Sequence, residues 1–166
     1  MNGGTISENE STSIGGGIVV VSGTFTMEEG IIKGNKALLG GGVVLLSGTF
    51  TMNNGTIQNN TAESTNGGGG GVYVNGGEFI LGGGFIQGNQ VPNGDTRGGG
   101  VTIEDNGTFK MSGGIIYGNT ETNNALRNTA TNGAAISVHG SASYTGVYED
   151  FGTFPGTTNN TLPPIP

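Results

Sequence analysis

The chain has 166 residues, of which 37 are glycine, 5 are proline and none is cysteine. Glycine and proline together make up about a quarter of it, a content typical of disorder unless the sequence is periodic. The formal net charge of −7 opposes binding to nucleic acid and to anionic lipid. Without cysteine there can be no disulfide or thiolate metal site, so stability must come from packing and hydrogen bonding.

A repeat runs through most of the chain, and its first part is a short strand that follows glycine. Two apolar residues alternate around a middle residue, which is the pattern of a strand with one face in a core. The pairs are Ile18 and Val20, Val43 and Leu45, Val72 and Val74, Val101 and Ile103, and Ile136 and Val138. We predict one short strand at each pair.

The second part of each unit is another alternating pair that begins with phenylalanine. The pairs are Phe25 and Met27, Phe50 and Met52, Phe79 and Leu81, and Phe109 and Met111. One glycine precedes each pair, at Gly23, Gly48, Gly77 and Gly107. Because glycine adopts bends that other residues resist, we predict a bend between the first and second strands.

The third part is an Ile-x-x-Asn motif that follows glycine. Its isoleucines are Ile6, Ile32, Ile57, Ile86 and Ile116, and its asparagines are Asn9, Asn35, Asn60, Asn89 and Asn119. We predict a third short strand that ends near each asparagine, where the coil closes.

These strands are too short to pair within one unit, so each must pair with its equivalent in the next coil, about 4.8 Å away. The fold class predicted is all-β: a right-handed parallel β-helix (β-solenoid) of about five coils of 25–35 residues, with three short strands per coil. Identical side chains then lie over one another. Phe25, Phe50, Phe79 and Phe109 form an interior stack, and the five asparagines form a hydrogen-bonded ladder, because buried amides are costly unless paired.

The register of the repeat is expected to fail after Val138, and the end of the chain is rich in proline. We therefore divide the chain into a β-helix over 1–152 and a tail over 153–166. Pro163, Pro164 and Pro166 exclude regular strand pairing, so the tail is a cap, a linker or a segment that docks on a second subunit. The chain begins in the middle of a repeat unit, which suggests a fragment or the mature part of a longer surface or secreted protein.

Two motifs resemble a known group of proteins. Gly40 to Val43 and Gly69 to Val74 are similar to a Gly-Gly-Ala-Ile repeat, and Ile57-Gln58-Asn59-Asn60 is similar to a Phe-x-x-Asn repeat with isoleucine for phenylalanine. These repeats belong to right-handed β-helices of bacterial cell surfaces, among them autotransporter passengers and polymorphic outer-membrane proteins. The resemblance covers Gly3 to about Val138, and it implies the fold and a role in adhesion or display at the cell surface.

The sequence contains no catalytic signature. The best polar column joins Asn75, Glu104 and His139, one residue beyond the first strand, and Glu104 and His139 are weak catalytic candidates because a histidine there lies beside a carboxylate. A surface charge pair is the simpler interpretation. We expect no enzyme activity, no cofactor and no metal site.

Binding is more plausible where the repeat is interrupted. The linkers after the asparagines lengthen along the chain and should project from one edge of the solenoid, where repeat proteins often bind partners. The candidate binding residues in these loops are Asn93, Asp95, Arg97, Asn123 and Arg127. The alternative, that the loops are solvated spacers, stays open.

The function expected is that of a non-enzymatic extracellular structural or adhesive β-solenoid of a bacterial surface, whose partner is a glycan or a host-surface protein. Two alternatives remain: a homo-oligomer or extracellular filament formed by head-to-tail stacking of open ends, and a carbohydrate-binding or carbohydrate-active β-helix. No nucleic acid partner is expected. No apolar run reaches the roughly 20 residues of a membrane helix, so no membrane insertion is expected either.

Overall fold

The computed structural model describes residues 1–65, 67–93, 98–118, 122–130 and 135–146. Within these ranges the regular structure is entirely β, and there is no helix. The strands are β1 (Asn2–Ser7), β2 (Ile18–Val20), β3 (Thr24–Met27), β4 (Glu29–Lys33), β5 (Lys36–Ala37), β6 (Val43–Leu45), β7 (Thr49–Met52), β8 (Thr56–Gln58), β9 (Thr61–Ala62), β10 (Val72–Leu81), β11 (Phe85–Gln87), β12 (Val101–Met111), β13 (Ile115–Ile116), β14 (Ile136–Val138) and β15 (Ser143–Gly146).

The strands form three parallel sheets in which each strand pairs with its equivalent in the next coil. The isoleucine sheet has five strands in the order β1-β4-β8-β11-β13. The phenylalanine sheet has eight: β14-β12-β10-β6-β2 in one row, with β3 and β7 continuing from β10 and β15 pairing with β12. A small sheet joins β5 to β9. The chain is therefore a parallel β-solenoid, as predicted.

The solenoid has about four turns rather than five. The prediction counted five isoleucine motifs, and all five are present as strands of the isoleucine sheet. Five passes through one sheet enclose only four complete turns between them, which accounts for the difference.

The core consists of stacked columns of identical or similar side chains. The buried isoleucines Ile32, Ile57 and Ile86 come from the isoleucine sheet, and Phe50, Phe79 and Phe109 from the phenylalanine sheet. Ring centroids are 5.6 Å apart between Phe25 and Phe50, 5.0 Å between Phe50 and Phe79, and 5.1 Å between Phe79 and Phe109. The predicted phenylalanine stack is therefore present.

Two details of the strand prediction were wrong. The first and second strands are separate in the early coils, but they merge into one continuous strand in β10 and in β12. The ladder between β10 and β12 shifts register after Val74. The segment from Ile103 to Phe109 is one residue longer than the equivalent segment from Val74 to Phe79. The register shift accommodates this extra residue without ending the ladder.

The register also continues past Val138, where we expected it to fail. A turn brings Ala142 N within 3.2 Å of His139 O, and the chain then enters β15. There Tyr144 is in register with Phe109, so the last described strand occupies the place of a second strand of the repeat. The sequence obscured this because tyrosine replaces the expected phenylalanine. The predicted tail, 153–166, and the boundary at 152 lie outside the described residues.

Candidate functional site

In the asparagine ladder, each buried side-chain amide has all of its hydrogen-bonding groups paired. Asn60 is fully buried, and its backbone N and Nδ2 donate to Oδ1 of Asn89 at 3.0 and 2.9 Å. Its second amide hydrogen goes to the carbonyl of Ile32 at 3.0 Å. Its own Oδ1 accepts from the backbone N and Nδ2 of Asn35 at 2.9 and 3.0 Å. A buried network of this kind rigidifies a fold only when all of its groups are paired, as they are here.

The same pattern runs in one direction through the coils. Asn9 donates to Asn35 through its backbone N and Nδ2 at 3.0 and 2.8 Å, and Asn89 donates to Asn128 at 2.9 and 2.8 Å. The fifth member is therefore Asn128, where the sequence had suggested Asn119. Asn119 itself lies outside the described residues.

Asn128 also ends the ladder among the described residues. Its backbone N and its Nδ2 both donate to the carbonyl of Tyr117, at 3.2 and 2.7 Å, and this carbonyl takes the place of a further asparagine oxygen. Sequence spacing hid this residue, because it lies 39 residues after Asn89 while earlier intervals are 25 to 29. The Asn128-Thr129 pair matches Asn60-Thr61, but Asn119-Thr120 matches it equally, so the sequence carried no signal that separated the two.

A turn within the inserted segment brings Asn128 to its position. The candidate loop residue Asn123 accepts at Oδ1 from Ala125 N at 3.1 Å and at its carbonyl from Leu126 N at 3.0 Å. Leu126 O in turn accepts from Gly88 N at 2.8 Å. Arg127, another candidate, is half-buried directly before Asn128. The structure therefore gives Asn123 a structural contact in the turn.

Of the remaining loop candidates, only Asn93 lies within the described residues. Asn93 is exposed, and its Nδ2 donates to the carbonyl of Glu63 at 2.9 Å, which ties one loop to the preceding one. Asp95 and Arg97 lie outside the described residues. The linkers themselves begin with paired backbone: Lys36 with Thr61, Thr61 with Gln90, and Gln90 with Thr129 are in parallel register.

The weak catalytic candidates do lie side by side in successive coils, with Glu104 in β12 and His139 one residue after β14. Ile103 and Val138 are in register, and His139 N donates to Ile103 O at 2.9 Å, so Glu104 and His139 come at equivalent places in successive coils. The structure adds Ser137, whose hydroxyl forms a hydrogen bond with Nε2 of His139. Sequence reasoning missed Ser137, although its position two residues before His139 puts both on one face of a strand.

Ser137 is poorly accessible. It is the middle residue of a first strand, and the equivalent residues Val44 and Thr102 are buried although they alternate with core residues. At Thr102 the preceding glycine turn supplies a partner, because Gly98 N donates to Thr102 Oγ1 at 2.8 Å. Ser137 is 6% exposed. A nucleophile must reach the substrate atom it attacks, and a hydroxyl buried in this way is not presented to a polymer chain.

Charged side chains pair between coils. Lys36 Nζ lies 2.9 Å from Glu63 Oε1 and 3.7 Å from Glu10 Oε1, so it bridges the coils before and after its own. The hydrogen bond and the charge of Glu63, with a smaller contribution from Glu10, raise the pKa of Lys36 above its usual 10.5. Glu78 pairs with Lys110 in the next coil, and Glu28 accepts from Asn53 Nδ2 at 2.9 Å.

The outer face of the isoleucine sheet carries an exposed apolar cluster, which we name the aromatic platform and define as Phe85, Ile115 and Tyr117. Phe85 is 41% and Ile115 46% exposed, and Tyr117 is half-buried. The Phe85 and Tyr117 rings are nearly parallel, with an interplanar angle of 16° and centroids 6.4 Å apart. Beside the platform, Gln87 Nε2 donates to Gln58 Oε1 at 3.0 Å.

In the described ranges, no group of three or more histidine and acidic side chains could hold a metal ion. None of the described segments forms a helix long and apolar enough to cross a membrane. Comparison with known protein families, curated proteins and solved structures gave no match to this chain.

Proposed function

We propose that the chain is a non-enzymatic structural and adhesive β-solenoid displayed outside a bacterial cell. One observation carries the proposal: side chains that face the core repeat from coil to coil, whereas those that face solvent on the same strands vary. Such a rod has a fixed interior and an exterior free to carry recognition residues.

The isoleucine sheet gives the plainest example. Its inward column is isoleucine in every strand: Ile6, Ile32, Ile57, Ile86 and Ile116. The outward column one residue earlier contains three different residue types: Thr5, Ile31, Thr56, Phe85 and Ile115. Stacking constrains the first column, because each side chain must fit between two like neighbours. No such constraint acts on the second.

The extracellular bacterial location rests on the resemblance of the Gly-Gly-Gly-Val and Ile-Gln-Asn-Asn motifs to surface-protein repeats. The partner belongs to the glycans or proteins of a host surface.

An adhesion assay tests the proposal. Beads coated with the 166-residue chain should attach to epithelial cells more often than bare beads. Beads coated with the Phe79→Ala variant, whose core is disrupted, should attach at the bare-bead level. Equal attachment of bare beads and beads coated with the folded chain would contradict the adhesive function.

A second candidate function, a filament subunit, is supported by the first coil. In the described residues, β1, β2 and β3 each pair with a strand on one side only, and unpaired strand edges invite another chain. Val19, in β2, is 39% exposed, whereas its in-register neighbour Val44 is fully buried. At the other end of the described residues, β13, β14 and β15 also pair on one side only, while the Tyr117 carbonyl already accepts from the donors of Asn128.

Sedimentation velocity over a range of concentrations separates the two candidates. A filament subunit should grow in size with concentration. Val19→Lys should then abolish growth, while Thr51→Lys, on the lateral surface of an interior coil, should not. A particle of constant, monomeric size would exclude the filament.

A further inference from the structure

We propose that the aromatic platform is a binding site for a neutral polysaccharide. This inference rests on the proposed function, because it assigns the adhesive contact to one surface and one class of ligand. The platform lies on the outer face of the isoleucine sheet, on neighbouring strands of two coils, and not in the loops where binding was expected from the sequence.

Strand register builds the site. Phe85 precedes and Gln87 follows the buried Ile86, so both face outward from β11. Ile115 and Tyr117 flank the buried Ile116 in the same way in the next coil. The bond from Tyr117 N to Ile86 O, 3.1 Å long, extends the pairing to Tyr117. The platform therefore stands on rigid, paired backbone, which fixes the ring positions before a ligand arrives.

The chemistry of this surface matches that of a sugar ring. A pyranose has an apolar face of C–H groups and a rim of hydroxyls, and it stacks on aromatic faces while its hydroxyls form hydrogen bonds. Phe85 and Tyr117 present two nearly parallel rings at 16°. Tyrosine combines a large apolar body with a polar hydroxyl that can bond at the edge of the site.

The adjoining amides supply the hydrogen bonds. Gln87 and Gln58 use one hydrogen and one carbonyl for each other. Among the described residues, the side-chain Oε1 of Gln87 and the two Nε2 hydrogens of Gln58 have no protein partner, so the pair offers both acceptors and donors. Hydroxyls act as both donors and acceptors, and the mutual bond holds the two amides in place for them.

Charge and size favour a neutral glycan over other partners. The five side chains of the site are uncharged at pH 7, and the net charge of −7 repels acidic polysaccharides. Phe85 exposes 41% of its surface, which for an aromatic side chain corresponds to about 80 Å². Three such residues provide far less than the roughly 800 Å² per partner of a stable protein interface. A second copy of the chain is therefore a poor occupant.

Affinity electrophoresis tests the site with hydroxyethylcellulose, xyloglucan and galactomannan as neutral probes and polygalacturonate as an acidic one. The chain should be retarded by at least one neutral polysaccharide. Phe85→Ala combined with Tyr117→Ala should weaken that binding tenfold or more, and Gln87→Leu should weaken it severalfold. Ile80→Ala, a half-buried outward residue on the phenylalanine sheet, is the matched control and should bind normally. Thermal unfolding of each variant checks that the fold is kept.

Retardation only by polygalacturonate, no retardation by any probe, or equal retardation of the double variant would each overturn the site. The bead assay separates this failure from failure of the proposed function. Beads coated with the double variant that still attach to cells would leave adhesion standing and remove the platform from it. Beads coated with the unmodified chain that do not attach would contradict adhesion itself.

Discussion

The first coil and the interior coils carry the same residues in the same columns but hold them differently. Phe79 is fully buried between two rings, at 7° to Phe50 and 24° to Phe109. Phe25 is half-buried, has one described ring neighbour and is tilted by 44° to it. The contrast shows that a column member is ordered by neighbours on both sides and not by residue type alone.

The asparagine column shows the same contrast. The Asn60 side chain is bonded on both sides and fully buried, whereas Asn9 is exposed and its side chain bonds, among the described residues, to Asn35 alone. If two-sided contact is the source of stability, paired substitutions at interior and first-coil positions should have unequal costs in the 166-residue chain. Each pair below keeps the residue type constant and changes only the number of neighbours.

The largest difference is expected in the phenylalanine stack. Phe79→Ala should lower the free energy of unfolding by about 4 kcal/mol, because it leaves a cavity between two rings. Phe25→Ala should cost about 1.5 kcal/mol, since part of that side chain is already exposed. Urea unfolding measures both, and equal costs would contradict the two-sided account.

The ladder should show the next largest difference. Asn60→Ala removes the Oδ1 that accepts from Asn35 N, and it deprives Asn89 Oδ1 and Ile32 O of the side-chain donor. The free energy of unfolding should fall by about 3 kcal/mol. Asn9→Ala removes one exposed amide bond and should cost about 1 kcal/mol. Hydrogen exchange at Asn35 N provides a second readout: exchange should accelerate in Asn60→Ala and stay slow in Asn9→Ala.

A glycine pair gives the same test for the backbone. Gly23 and Gly48 both have positive φ, 77° and 79°. A Cβ on Gly48 would lie 2.3 Å from the carbonyl oxygen of Gly23, whereas a Cβ on Gly23 would meet nothing within 4 Å. Gly23→Ala should therefore cost about 1 kcal/mol, for backbone strain alone. Gly48→Ala should cost about 3 kcal/mol, because the contact with backbone adds overpacking. Similar melting temperatures for the two variants would be inconsistent with this packing.

The smallest effect is expected at Lys36, which is charged and largely solvated although it touches two coils. Lys36→Met should lower Tm slightly at pH 7, and the matched variant Lys33→Met should leave it unchanged, because Lys33 forms no ion pair among the described residues. The raised pKa of Lys36 means that its contribution is complete below the unfolded value of 10.5 and disappears as pH rises through the higher folded value. A Tm difference between wild type and Lys36→Met that grows above pH 10.5 would contradict the ion pair.

The sequence predicted the columns well, because stacking demands the same side chain at the same place in each coil. Residues that depend on the path of an irregular segment were not predictable in this way. Asn128 enters the ladder only after a turn at Asn123, and spacing alone favoured Asn119. The aromatic platform was missed because Phe85 and Tyr117 gain meaning only when two coils are placed side by side.

The order of the asparagine ladder is the most direct test of the solenoid. In the isotopically labelled chain, NOEs between side-chain amides should connect Asn9 to Asn35, Asn35 to Asn60, Asn60 to Asn89, and Asn89 to Asn128. The amide hydrogens of Asn35, Asn60 and Asn89 should also exchange slowly with solvent, because these side chains are fully buried. NOEs that join other asparagines, or fast exchange at all five, would contradict the stacked coils.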